Sequence, residues 1–392
     1  MIKKQEKKKR ACIIRQKAYP MQRNMRRNAE TLVREGYDVD VLCYGRKGQA
    51  KNEALSGVNV HRVYFLHHRD SIFWYFFDYM VFFLLVSFHL IRLSFKKRFD
   101  VIEVCNIPDF LLFSTLIPKL LGSKVIYFMF EKSESMFTDT FKLSRKHILT
   151  RMYNMIIKLC ALYADYVFVT DMVVQKDLPD FYGIRPEKVS LILNVVDEEV
   201  FTFSPESQLR KNNEFQVLIV SSVLKRYGIQ TMVQAIPLLV KEIPHLAVRI
   251  IGWGEYGPIL KDMSEELGIS DYIHFDGYFP YEEIPARMAL ADVCVAPMIE
   301  DVGTPNKVLE YLGMGKATVS TDLPGLVALI DSDCMMFYPT GSEAELAERI
   351  IELYHNPEKR IAMGKCGQEF YNKHRWAEMK KKYLEVYHRL SS

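Results

Sequence analysis

The sequence predicts an α/β protein built from two doubly wound, Rossmann-like domains. Three observations predict it. At 392 residues the chain exceeds the roughly 250 to 300 residues at which single hydrophobic cores stop growing, so two cores are expected. Short β-branched, apolar runs alternate with helical patterns from Arg10 onward, as in a parallel sheet covered on both faces. The alternation breaks at a polar stretch, 203–215 (FSPESQLRKNNEF), and then begins again. The expected domains are therefore 1–204 and 205–376, with 377–392 a C-terminal helix returning to the first domain. Two facing halves of this kind leave a cleft between them, and ligands bind at the carboxyl ends of the strands that border it.

The elements follow in order. A strand over 10–15 (RACIIR) leads through a Pro-containing loop to a helix over 22–35 that stops at Gly36, and a strand over 38–44 (DVDVLCY) completes a βαβ unit. Apolar runs at 58–63, 101–105, 125–130, 166–170 and 189–193 continue the first sheet. In the second domain, strands are expected at 215–221, 247–252, 273–276, 293–296 and 317–320. Helices are expected at 229–242, 256–267, 284–290 and 308–314.

Composition narrows the function classes. Seven cysteines (Cys12, Cys43, Cys105, Cys160, Cys294, Cys334, Cys366) stand singly, without a CxxC pair, and read as reduced thiols rather than a disulfide framework or a zinc site; a cytoplasmic protein is expected. The net charge of +4 is uneven: residues 1–51 carry 15 Lys/Arg against 5 Asp/Glu, a net of +10, which leaves −6 for the remainder. The basic start MIKKQEKKKR has no apolar region behind it and is not a secretory signal. It is either a solvated tail or a segment drawn to anionic lipid head groups. Nucleic acid is not expected, because no aromatic–basic interleaving follows.

One stretch, 71–95 (SIFWYFFDYMVFFLLVSFHLIRLSF), approaches the length of a membrane span. At 100° per residue Asp78, His89 and Arg92 fall within about 60° of one another, a narrow polar stripe on an otherwise apolar helix. That pattern suits a helix lying in a membrane interface, or a core helix under the first sheet, better than a span.

The residues able to carry chemistry lie at expected strand ends of the second domain. Segment 304–310 (TPNKVLE) opens a helix after a strand, so backbone N–H groups and Lys307 converge on a place suited to an anion, with Glu310 one turn in, able to accept from ribose hydroxyls. The plainer reading is an ordinary first-turn acid with a capping Thr304 or Asn306. Segment 221–228 (SSVLKRYG) offers Lys225 and Arg226 at the neighbouring strand end, either to fork onto a diphosphate or as a solvated basic loop. Gly252-Trp253-Gly254 is placed for close approach of a ligand, but lacks the third glycine of a dinucleotide fingerprint.

These pieces, together with Ala164-Asp165, Phe275 to Tyr278, Ala291 to Val293 and TPNKVLEYLGMGKATVSTDLPG from Thr304, resemble the retaining glycosyltransferases of family 4 with the GT-B fold. They resemble in particular a branch with Arg-Tyr-Gly and Pro-x-Lys-x-x-Glu-Tyr motifs. The resemblance implies two facing Rossmann-like domains and a nucleotide-sugar donor held by Lys225, Arg226, Gly252, Gly254, Thr304, Pro305, Asn306, Lys307 and Glu310. It implies that Lys307 and Arg226 offset charge on the departing diphosphate, with no metal and no cofactor. From the wider family the chain departs at the first of the paired glutamates, which would fall on Val302, and at the usual Arg and Lys, which fall on Ser222 and Tyr227, both as in that branch; from the branch it departs at the histidine of the Asp-x-His-Asp run, replaced by Phe130. Glu131 and Glu134 are the nearest candidates for the catalytic neighbourhood. Where many relatives carry a glycine-rich first loop, this chain has Tyr19, Arg23 and Arg26, facing a charged acceptor or simply decorating a helix start.

The expected function is that of a hexosyltransferase moving a sugar to a lipid-linked or saccharide acceptor at the inner face of a membrane, in cell-surface polysaccharide or glycoconjugate synthesis. The alternatives are a catalytically impaired, membrane-associated scaffold and a sugar-nucleotide epimerase of the same fold.

Overall fold

The structure, a computed structural model, describes residues 8–65, 72–144, 146–195, 214–300 and 303–392. The chain divides into two compact units, 1–194 with 379–392, and 195–378. The expected boundary at 204/205 and the polar stretch 203–213 lie outside the described residues.

Unit 1 comprises β1 (Arg10–Ala18), α1 (Arg23–Arg34), β2 (Asp38–Tyr44), β3 (Asn52–Leu55), β4 (Val58–Val63), α2 (Ile72–Lys96) and β5 (Val101–Cys105). A 3-10 turn (Asp109–Thr115) then precedes α3 (Leu116–Leu120), β6 (Lys124–Met129), α4 (Ser133–Phe141), α5 (Ile148–Tyr163), β7 (Tyr166–Val169), α6 (Met172–Tyr182) and β8 (Val189–Leu191). Its strands form one sheet in the order β3-β4-β2-β1-β5-β6-β7-β8, parallel except where β3 runs against β4. Local signals set the ends: Asp171 caps α6 by accepting from the Val173 and Val174 amides at 2.9 and 3.1 Å, and Gly183 closes it.

Unit 2 comprises β9 (Phe215–Val220), α7 (Ile229–Leu239), β10 (Leu246–Ile251), α8 (Gly257–Glu266), β11 (Ile273–Gly277), α9 (Ile284–Ala289) and β12 (Val293–Ala296). These are followed by α10 (Asn306–Gly313), β13 (Ala317–Thr321), α11 (Pro324–Leu329), β14 (Met336–Tyr338), α12 (Glu343–His355) and α13 (Pro357–His374). The all-parallel sheet is ordered β11-β10-β9-β12-β13-β14, so its topological switch point lies between β9 and β12. A last helix, α14 (Trp376–Leu390), packs on unit 1, where Tyr383 and Tyr387 donate to the buried Glu103 of β5 at 2.8 and 3.0 Å. Burial pushes the Glu103 carboxyl above its usual range, and the two phenols oppose that shift.

Two expectations need correction. Cys334 and Cys366, between the approach to β14 and α13, form a disulfide. They lie 32 residues apart, a spacing with no sequence signature, and the fold alone brings them together. The other five cysteines are free and buried. The second correction concerns α2: Asp78 is buried, whereas Arg92 is exposed. A helix contacting its neighbours through every fourth residue winds its contact line by about 40° per step, so Asp78, Phe82, Val86, Leu90 and Ser94 turn inward together and the three-residue polar stripe dissolves.

Candidate functional site

The site is assembled at the carboxyl edge of the unit 2 sheet, across its switch point. The loop leaving β9 contains a 3-10 turn, Lys225–Tyr227, ended by Gly228 in the left-handed region (φ 68°). A Cβ at Gly228 would come within 1.7 Å of the Pro297 carbonyl oxygen, and the Ile299 amide donates to the Arg226 carbonyl at 3.1 Å. The loops after β9 and β12 are thereby locked side by side.

Lys307, in the first turn of α10, donates to Ser221 Oγ at 2.6 Å. Its ammonium also lies 4.2 Å from the centre of the Tyr227 ring, and the Arg226 guanidinium lies 5.3 Å from the same ring. Two cations thus gather around one aromatic ring, a charge arrangement suited to a multivalent anion. Burial pushes the Lys307 ammonium down to about 7, with Glu310 opposing the shift and Arg226 adding to it. Glu310, one turn on and buried, accepts from the Tyr281 hydroxyl at 3.2 Å. Tyr311 fixes the helix from behind, its phenol oxygen accepting from the Val220 amide at 2.8 Å.

The remaining residues expected here vary in their setting. Pro305 is the N-cap of α10 and supplies no side-chain cap, Asn306 is exposed, and the Thr304 hydroxyl is buried without a hydrogen bond. Lys225 is exposed on the same loop as Arg226. Gly252 and Gly254 make a close approach, but to the protein's own backbone: a Cβ would meet the Ser221 carbonyl oxygen at 1.8 Å and that of Val223 at 2.1 Å. These glycines hold the β10 loop against the β9 loop. Val302, where the family's first glutamate would fall, lies outside the described residues.

Glu131 and Glu134 belong to unit 1, Glu131 in the turn after β6 and Glu134 in the first turn of α4. Glu131, with a side chain 41% exposed, has Oε1 3.8 Å from the buried Arg15 guanidinium, and Glu134 accepts from Asn154 at 3.0 Å. The Phe130 ring stacks on Phe128, centroids 3.9 Å apart, and the Arg15 guanidinium lies 4.3 Å from its centre. Asn106 holds this turn through its Oδ1, which accepts from the Phe130 and Glu131 amides at 2.8 and 3.2 Å. Tyr19 is fully buried and presents nothing to an acceptor, while Arg23 and Arg26 are exposed at the start of α1. Sequence reasoning missed Asn106, Arg15 and Tyr281, which carry no local motif. Among the described residues, no group of three or more His, Cys, Asp or Glu is placed to hold a metal ion.

Comparison with known proteins adds to this geometry. Residues 21–200 match Glycosyltransferase Family 4, and residues 214–356 match Glycosyl transferases group 1. The GDP-mannose-dependent alpha-(1-6)-phosphatidylinositol monomannoside mannosyltransferase of Mycolicibacterium smegmatis is 31% identical over 192 residues, 45% of this chain and 49% of its own. The D-inositol 3-phosphate glycosyltransferase of Corynebacterium urealyticum is 24% identical over 246 residues, 58% of this chain and 57% of its own. The chain thus spans about half the length of the curated relatives it matches. Among solved structures, sucrose-phosphate synthase from Thermosynechococcus elongatus superposes with a TM-score of 0.78 at 18% identity, over 98% of this chain and 99% of its own. Anabaena HepE in complex with UDP-glucose superposes with a TM-score of 0.72 at 16% identity, over 97% and 99%. Likeness at such low identity establishes the fold.

Proposed function

We propose, for a chain that belongs to the family 4, group 1 glycosyltransferases and carries their GT-B fold, that it transfers a sugar from a nucleoside-diphosphate donor bound at the carboxyl edge of unit 2. One observation carries the reading: Lys307 and Arg226 share the Tyr227 ring at the switch point, with Glu310 one turn behind. The diphosphate meets the two cations and the first turn of α10, and Glu310 takes the ribose hydroxyls. As the sugar departs, negative charge grows on the diphosphate, and the same cations stabilise it without reorganising. Retention of anomeric configuration follows from the family resemblance. The acceptor is a lipid-linked or saccharide substrate, in cell-surface polysaccharide or glycoconjugate synthesis at the inner face of the membrane; the phosphatidylinositol monomannoside in the name of the Mycolicibacterium smegmatis relative supports a lipid-linked acceptor.

Titration with UDP and with GDP tests the site. Glu310→Ala and Arg226→Ala each cost about 1 to 3 kcal/mol of affinity, the range for a hydrogen bond to a charged group. Unchanged affinity in both variants sinks the assignment.

A second reading has its own observation. Phe130, stacked between Phe128 and Arg15, occupies the position of the branch's histidine with a ring that moves no proton. A protein that binds donor without transferring sugar matches that feature, and assays of UDP- and GDP-sugars with membrane extracts as acceptor separate the two readings.

A further inference from the structure

Unit 1 covers one face of its sheet with a layer whose outer side is also apolar. Phe82, Val86 and Leu90 of α2, Leu111 and Leu112 of the 3-10 turn, and Ile157, Cys160 and Ala161 of α5 share one core with Ile14, Val104, Tyr127 and Val167. The layer is continuous. Phe83 of α2 meets Phe110 at 5.8 Å, Phe113 meets Tyr163 of α5 at 5.6 Å, and the Lys119 ammonium of α3 sits 4.4 Å from the Tyr163 ring centre.

Opposite that core, the helices do not turn polar. Leu84 and Phe88 of α2 are 59% and 64% exposed, Leu120 of α3 83%, and Met152, Met155 and Leu159 of α5 58%, 55% and 48%. Residues 152, 155 and 159 fall at helical spacing, so α5 is apolar on two sides. With about half of each such side chain exposed, the layer offers on the order of 1,000 Å² of apolar surface, above the few hundred Å² common on single soluble chains.

Charge selects the occupant. α3 and α5 contain no Asp or Glu, and the single acid of α2, Asp78, is buried. Arg92, Lys96 and Arg151 are exposed on the same helices. A surface that is apolar, spread over three helices and exposing only cations among their charged residues matches the interface of an anionic bilayer. By length and composition α2 could cross a membrane. Its Phe82, Val86 and Leu90 are instead committed to the core of the sheet, which fixes it as a helix lying flat.

We propose that α2, α3 and α5 together form a monotopic docking surface for anionic lipid. The inference deepens the membrane reading above and uses no residue of the donor site, so either stands without the other. The test is flotation of the full chain with phosphatidylcholine vesicles and with vesicles also containing phosphatidylglycerol. The wild type is expected to float with the anionic vesicles, and Met152→Glu combined with Leu159→Glu to lower that partition about tenfold or more. Leu267→Glu, at an exposed apolar position of unit 2, is expected to leave it unchanged. Unaltered circular dichroism and melting of each variant, all changed at exposed positions, guard against unfolding. Failure of the wild type to float, or equal flotation of the α5 double variant, overturns the proposal. So does a dimer in light scattering that the double variant abolishes, because the surface then serves a second copy of the chain.

Discussion

The two units share a doubly wound six-strand core, β4-β2-β1-β5-β6-β7 and β11-β10-β9-β12-β13-β14, to which unit 1 adds β3 and β8, and they use it differently. Unit 2 concentrates charge at the end of its sheet, where Lys307, Arg226 and Glu310 converge, and its exposed large apolar residues, such as Trp253, Ile259, Val327 and Ile361, sit singly on separate elements. Unit 1 has at the corresponding end an aromatic stack closed by Arg15, and carries its apolar excess on the outside of a helical layer. A doubly wound sheet leaves its strand ends and its helix backs to be specialised separately, since neither is needed to bury the central core.

The sharpest way to break this comparison is through glycine. Gly228→Ala in unit 2 would place a Cβ 1.7 Å from the Pro297 carbonyl in a left-handed conformation, and Gly252→Ala would place one 1.8 Å from that of Ser221. Each is expected to cost about 3 to 5 kcal/mol, overpacking added to backbone strain, and to lower the thermal midpoint of unit 2 together with nucleotide affinity. Gly183→Ala in unit 1 meets nothing within 4 Å and is expected to cost only about 1 to 2 kcal/mol, the left-handed penalty alone. Equal losses in a melting series would mean that the loops after β9, β10 and β12 are not interlocked as described.

The next effect is a pH dependence confined to unit 2. With Lys307 at about 7 in the folded chain and near 10.4 when unfolded, the unfolded chain holds the extra proton between those values. Stability therefore rises with pH across that window, by at most about 1.4 kcal/mol per pH unit. Anion binding favours the charged ammonium, so the complex takes up a proton, and affinity for UDP or GDP falls above pH 7 by up to about tenfold per unit. Calorimetry in two buffers of different ionisation enthalpy measures the uptake. Lys307→Arg, which stays charged, is expected to flatten the slope. A slope that persists in that variant places the proton elsewhere.

Much of the architecture was legible because its signals are local. The strands at 38–44, 58–63, 101–105 and 293–296 coincide with β2, β4, β5 and β12, where β-branched runs sit between turn residues. The four-residue β3 (NEAL) and three-residue β14 (MFY) were not, because each holds its place by pairing with a neighbour and has too few residues to show a period. In the site, Lys307, Arg226 and Glu310 could be picked out by their positions after strands. The contacts that support them, Lys307 with Ser221, Glu310 with Tyr281 and Tyr311 with Val220, join residues at least 29 positions apart and leave no local trace. The apolar stripe of α5 was illegible for another reason: periodicity reports an apolar face without saying whether protein covers it.

The smallest expected effect tests whether the strand ends of the two units act independently. Phe130 touches Phe128 and Arg15 within unit 1, so Phe130→His removes a stack and a cation–π contact, each worth on the order of 1 kcal/mol. A modest fall in the melting temperature is expected, with UDP and GDP affinity unchanged within about twofold, since every residue argued to hold the nucleotide lies in unit 2. A larger change in affinity would tie the Phe130 turn to the donor. If affinity holds while sugar transfer rises in the histidine variant, the aromatic ring is what sets this chain apart from its transferring relatives, and the specialisation of unit 1 extends from its helix backs to its strand ends.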